Sequence, residues 1–94
     1  MTELHFERDP RKSASNAKKH KVTFEEARSA FADPNGLVID DPDHSQDEDR
    51  FILLGLSYAV RLLVVSHTFR SNTDRIISAR KATPRETTTY RRSR

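Results

Sequence analysis

The chain has no cysteine and no tryptophan, and its 94 residues include only two glycines, four prolines and one methionine. Without cysteine neither a disulfide framework nor a zinc–thiolate site can form, and a reducing compartment fits. No apolar run approaches the roughly 20 residues of a membrane-spanning helix. The first six residues, Met1 to Phe6, lack the basic and apolar regions of a secretion signal. A soluble, cytoplasmic protein without membrane contact is therefore expected. With 34% apolar and 33% charged residues, residues 1–94 read as one domain with one modest core.

Scarce glycine and scattered histidine exclude further classes. There is no glycine-rich loop to cradle phosphate and no serine in a nucleophile elbow. His5, His20, His44 and His67 lack the spacing of a helical metal pair. The acidic stretch Asp40–Asp49 carries Asp41, Asp43 and Ser45 at calcium-loop spacing. However, Gln46 stands where such a loop needs glycine, and Ile52 where it needs glutamate. No metal and no cofactor are expected.

What is present is charge, unevenly placed. Residues 1–32 hold seven Lys/Arg against five Asp/Glu, residues 33–50 one against seven, and residues 51–94 nine against two. A basic C-terminal half is the electrostatic footprint of a nucleic-acid binder.

Local signals give the order of elements. His5–Glu7 reads as a short edge strand. Asp9-Pro10 opens a helix to Lys19 or His20, with Asp as N-cap and Pro at the first helical position. Thr23 and Glu26 form a capping box for a second helix, whose Phe24, Ala27, Ala30 and Phe31 share one face and which ends at Asp33-Pro34. Strands are expected at Leu37–Ile39, Arg50–Gly55, Arg61–Phe69 and Arg75–Ala82, the last two joined by a hairpin. Along the last strand, simple alternation puts Arg75, Ile77, Ala79 and Lys81 on one face and Ile76, Ser78, Arg80 and Ala82 on the other. Thr83 and Glu86 box the start of a C-terminal helix that three threonines weaken, fraying after Tyr90 into a basic tail. The expectation is an α+β fold with an antiparallel sheet of three to four strands, two N-terminal helices and one C-terminal helix. The helices would lie on one face and a basic surface on the other.

The residues left for chemistry are Arg70, Arg75, Arg80, Glu86, Tyr90, Lys19 and His20. Metal-free RNA cleavage needs a base for the 2′-hydroxyl proton, cations for the developing phosphorane charge and an acid for the leaving 5′-oxygen. Arginine suits the second role because its fork binds phosphate bidentately and stays charged. His20, His67 or Glu86 would serve as base or acid, and Tyr90 would stack on a base or donate a proton. Lys81 adds to the basic surface. These residues also suit a non-catalytic module that binds nucleic acid or protein through the same surface.

Five segments together resemble one family. They are Phe6–Lys12 (FERDPRK), Asn16–Ala27 (NAKKHKVTFEEA), Phe31–Pro34 (FADP), Asp43–Phe51 (DHSQDEDRF) and Arg75–Tyr90 (RIISARKATPRETTTY). In this order they resemble BrnT, the toxin of a type II toxin–antitoxin pair. The resemblance implies a RelE-like fold and a ribonuclease that stops translation. It also implies neutralisation by a BrnA-type antitoxin in a 2:2 heterotetramer that reaches operator DNA only through the antitoxin. It carries Arg70, Arg75 and Arg80 over as cleavage groups, with Glu86 and Tyr90 beside them, and Lys19 and His20 match its K-H-G-V segment. RNA contacts are expected at Lys19, His20, His67 and Lys81. The alternative is a non-catalytic module acting as co-repressor within the complex. Two departures touch local geometry: Lys21 replaces the glycine usual after His20, and Arg8 stands where tryptophan is common.

Overall fold

The computed structural model describes residues 5–41 and 50–93. Residues 42–49 of the acidic stretch, with the calcium-loop positions Asp43, Ser45 and Gln46 and with His44, lie outside the described residues. So does Arg94 of the basic tail. In chain order the elements are β1 (His5–Arg8), α1 (Pro10–His20), α2 (Phe24–Ser29) continued by a 3₁₀ turn (Ala30–Ala32), β2 (Leu37–Asp40), β3 (Arg50–Leu56), β4 (Leu62–Arg70), β5 (Thr73–Lys81) and α3 (Pro84–Arg92).

The helix starts follow from their caps. The Asp9 carboxylate accepts from the amides of Arg11 and Lys12, and Pro10 occupies the first turn. Lys21 closes α1 in the left-handed region, at φ 60°, donating its amide to the carbonyl of Ala17. A lysine thus takes the conformation that glycine adopts most easily. The second N-terminal box is only half formed. Thr23 accepts from the amide of Glu26. The Glu26 carboxylate instead accepts from Ser57 Oγ at 2.7 Å and Arg61 Nε at 2.7 Å. A buried carboxylate gains more from a guanidinium than from one more amide. The box at α3 is complete. Its three threonines do not fray the helix before Arg92, because each hydroxyl bonds the carbonyl four residues back.

The sheet has five strands in the order β1-β5-β4-β3-β2, more than the three to four expected, and it is mixed. β2, β3, β4 and β5 pair antiparallel, whereas β1 lies parallel to β5 with Phe6 opposite Asp74 and Glu7 opposite Arg75. A four-residue strand with one apolar side chain carries too little pattern to reveal this long-range pairing. β4 and β5 are joined by Ser71-Asn72, both at positive φ, which matches a two-residue turn whose twist suits the hairpin. Beyond Arg8 the edge of β5 has no strand partner, and Asn16 takes its place. Its side chain accepts from the amide of Ala79 at 3.0 Å and donates to the carbonyls of Ala79 at 2.9 Å and Val22 at 3.1 Å.

The helices do not share one face. Val22, Ala27 and Ala30 pack with Leu53, Leu63, Val65 and Ala79. Tyr90 of α3 packs with Leu54 and Val64. Leu63 and Val64 are neighbours on β4 and point to opposite sides of the sheet. The N-terminal helices therefore cover one face and α3 covers part of the other. Gly55 allows the 3₁₀ turn to press on the sheet, since a Cβ there would lie 2.7 Å from the Ala30 carbonyl oxygen. Arg8 stacks its guanidinium 4.8 Å from the Phe24 ring centre and pairs with Glu25 at 3.7 Å. It thus covers one face of Phe24. Among the described residues no helix is long and apolar enough to cross a membrane.

Candidate active site on the open half of the sheet

One irregularity builds the site. Arg75 and Arg80 are five positions apart, and in a regular strand they would face opposite sides. The β4–β5 ladder shifts register between Ser66 and His67: Ser66 stands opposite Ser78, and His67 opposite Ile76. Ile77 is the extra residue of a bulge. It turns Arg75 to the side of Arg80 and corrects the simple alternation. Arg75 pairs with Thr68, Arg80 with Val64 and Arg70 with Thr73. Cross-strand partners share a face, so Arg70, Arg75 and Arg80 line the face that α3 half covers, with Ser66, Thr68, Thr73 and Ser78 between them. Arg50 pairs with Thr68 from β3 on the same face.

The open half forms a cleft of about 340 Å³ lined by Glu7, Thr68, Arg70, Ser71, Thr73 and Arg75. Among the described residues, no hydrogen bond or ion pair engages the side chains of Arg70, Arg75 or Glu7. Glu7 and the hydroxyl strip carry no sequence motif. The strip could have been read only from the faces of β4, and Glu7 only by knowing β1's register.

Arg80 stands at the border with α3 and is already engaged. Its Nη1 donates to Glu86 Oε1 at 2.8 Å and its Nη2 to Glu86 Oε2 at 2.9 Å. Glu86 Oε1 also accepts from the Thr83 amide at 2.9 Å. The Arg80 guanidinium, assisted by the Thr83 amide and against some desolvation, pulls the Glu86 carboxyl down to about 2. Such a carboxylate is a weak base near neutral pH.

The other expected residues lie elsewhere. His67 is only 4% exposed and faces the N-terminal helices, with its ring 4.9 Å from Phe31 and 5.9 Å from Phe51. Burial holds His67 below the usual imidazole range and pushes its neighbour Asp74 up; the two are 3.7 Å apart. An RNA contact by His67 is therefore corrected to a packing role. Tyr90 is 6% exposed, and its hydroxyl donates to Asp33 Oδ2 at 2.6 Å. The geometry gives it an anchoring role for α3 and not the expected stacking or proton transfer. Lys81 pairs across from Leu63, which puts it on the face opposite the arginines. Lys19 and His20 line a separate groove of about 350 Å³ between α1 and the bulge, with Arg11, Lys12 and Ser78. Among the described residues, no three of the His, Asp and Glu side chains group closely enough to hold a metal ion.

A cationic, hydroxyl-lined cleft on the sheet of a small α+β domain defines a protein suited to a phosphodiester backbone. A family model described as the ribonuclease toxin BrnT of type II toxin–antitoxin systems matches residues 9–86. The chain belongs to the BrnT family. Its fold is similar to that of the Brucella abortus ribonuclease toxin BrnT, known from a 1.1 Å crystal structure, with a TM-score of 0.68 and 18% identity. That match covers 86% of this chain and 99% of the other. A comparison with curated protein sequences found no match.

Proposed function

We propose that this chain cuts RNA on the open half of its sheet without a metal ion, and that a BrnA-type antitoxin holds it inactive in a 2:2 complex in the cytoplasm. The observation that carries the reading is the pair of unengaged guanidinium groups, Arg70 and Arg75, in a cleft whose other walls offer hydroxyls. Their forks hold the scissile phosphate and meet the charge that grows on its equatorial oxygens in the phosphorane. Thr68 and Thr73 donate to the same group. Arg80 stands four ladder steps from Arg75, roughly 13 Å at the rise of a strand. At that distance it serves a phosphate further along the strand. Lys19 and His20, on the α1 groove, extend the basic track for the rest of the strand.

The test is purified protein with RNA in EDTA, beside Arg75→Ala. The native chain cleaves, and the variant loses about 10²–10³-fold in rate, as expected for one transition-state donor. RNA binding without cleavage by a folded sample would replace the ribonuclease with a binding module. Antitoxin control is tested by co-expressing the neighbouring gene's product: relief of growth arrest and a co-purifying 2:2 complex are expected.

A further inference from the structure

We infer that Glu7 is the general base of the cleft and takes the proton from the 2′-hydroxyl that attacks the phosphate. The inference rests on the ribonuclease reading above. Its ground is position. β1 runs parallel to β5 with Glu7 beside Arg75, and Glu7 lines the same cleft as Arg70, Arg75 and Thr68. Phe6 and Arg8, its neighbours on β1, point the other way, and Phe6 lies 5.0 Å from Phe31 beneath the N-terminal helices.

The rival groups lie outside the cleft or are engaged: His5, opposite Thr73 at the start of β1, is not among the residues that line the cleft. The Glu86 carboxylate is closed by Arg80 and the Thr83 amide. His67 is buried on the opposite face, and Tyr90 is bonded to Asp33. His20 lines the α1 groove. Among the described residues, Glu7 is the carboxylate that faces the arginine cleft without a protein partner.

In the step, the Glu7 carboxylate accepts the 2′-hydroxyl proton while the 2′-oxygen bonds phosphorus. The bond from phosphorus to the 5′-oxygen breaks, and that oxygen takes a proton from water. The products are a 2′,3′-cyclic phosphate and a 5′-hydroxyl, and Glu7 returns its proton to solvent.

The experiment compares native protein with Glu7→Gln on two RNAs. One is ordinary. In the other, sulfur replaces the scissile 5′-oxygen, so the leaving group needs no proton. Glu7→Gln is expected to lose about 10²–10⁴-fold in cleavage on both, with a 2′-deoxy analogue bound at least as tightly as by native protein. A defect that vanishes on the sulfur substrate would make Glu7 the acid and overturn the assignment. Equal cleavage by both proteins on ordinary RNA would also overturn it, and leave the ribonuclease reading standing. Absence of cleavage by folded native protein would instead sink that reading itself. Glu7 is exposed, so the variant is expected to fold.

Discussion

Replacing Glu86 by glutamine asks whether this carboxylate supports structure or chemistry. The Glu86 carboxyl is drawn from an ordinary 4.5 to about 2. At 1.36 kcal/mol per unit, that displacement sets a ceiling of roughly 3 kcal/mol. Arg80's side chain is 42% exposed, so solvent screening brings the expected contribution to about 1–2 kcal/mol. A depressed carboxyl stabilises the fold above its unfolded value and loses that effect as pH falls through the folded one. Glu86→Gln should therefore be about 1–2 kcal/mol less stable than the native chain at pH 7 by urea unfolding. The gap should narrow between pH 4.5 and pH 2. Glutamine can still accept from the Thr83 amide, so the cap survives in part. A gap that stays constant down to pH 2 would refute the argument, because the stabilisation would then not come from the carboxylate's charge.

Other substitutions test other joints. Val60 sits at φ 59° at the end of the β3–β4 turn and is 76% exposed. A left-handed β-branched residue costs about 1–2 kcal/mol, part of which glycine gives back as chain entropy. Val60→Gly should gain about 0.5–1 kcal/mol, read as a higher urea midpoint. Asn16→Ala strips the amide and carbonyl of Ala79 of their partner at the sheet edge, and should cost about 2–4 kcal/mol by the same assay. Tyr90→Phe removes the bond to Asp33 and should cost about 1–2 kcal/mol. Cleavage per folded molecule should be unchanged, and a loss of rate in the folded variant would restore Tyr90 to the chemistry.

What could be read in advance divides by range. Caps are local, so Asp9-Pro10 and the Thr83–Glu86 box were legible, as were the two faces of β4 in its alternation. Three features were not. Whether Glu26 reaches back to Thr23 or across to Arg61 depends on a residue 35 positions away. The bulge at Ile77 shows only in the pairing of β5 with β4, and alternation alone places Arg75 on the wrong side. The side taken by α3 rests on one anchor: Tyr90 had the marks of a functional aromatic, and only the apolar patch of Leu54 and Val64 shows that it is packing. The arginine cluster was therefore found from charge density, while its shared face, and Glu7 beside it, came from tertiary pairing.

The charges of this chain fall into those that hold the fold and those left unspent, and a stability scan should separate them. Glu26 is 5% exposed and bound by Arg61 and Ser57. The Arg61 guanidinium keeps its carboxyl below the usual range. Arg61 also donates to the carbonyl of Lys21 at 2.8 Å, tying the end of α1 to the sheet. Arg61→Ala leaves a buried carboxylate uncompensated and should cost about 3–5 kcal/mol. Arg70→Ala and Arg75→Ala break no hydrogen bond or ion pair among the described residues, and should change stability by less than about 0.5 kcal/mol. If RNA cleavage nonetheless falls by orders of magnitude in those two, the unengaged arginines are held in the cleft for a ligand. A large stability loss in Arg75→Ala would instead mean that it supports the sheet, and the centre of the site would move to Arg80.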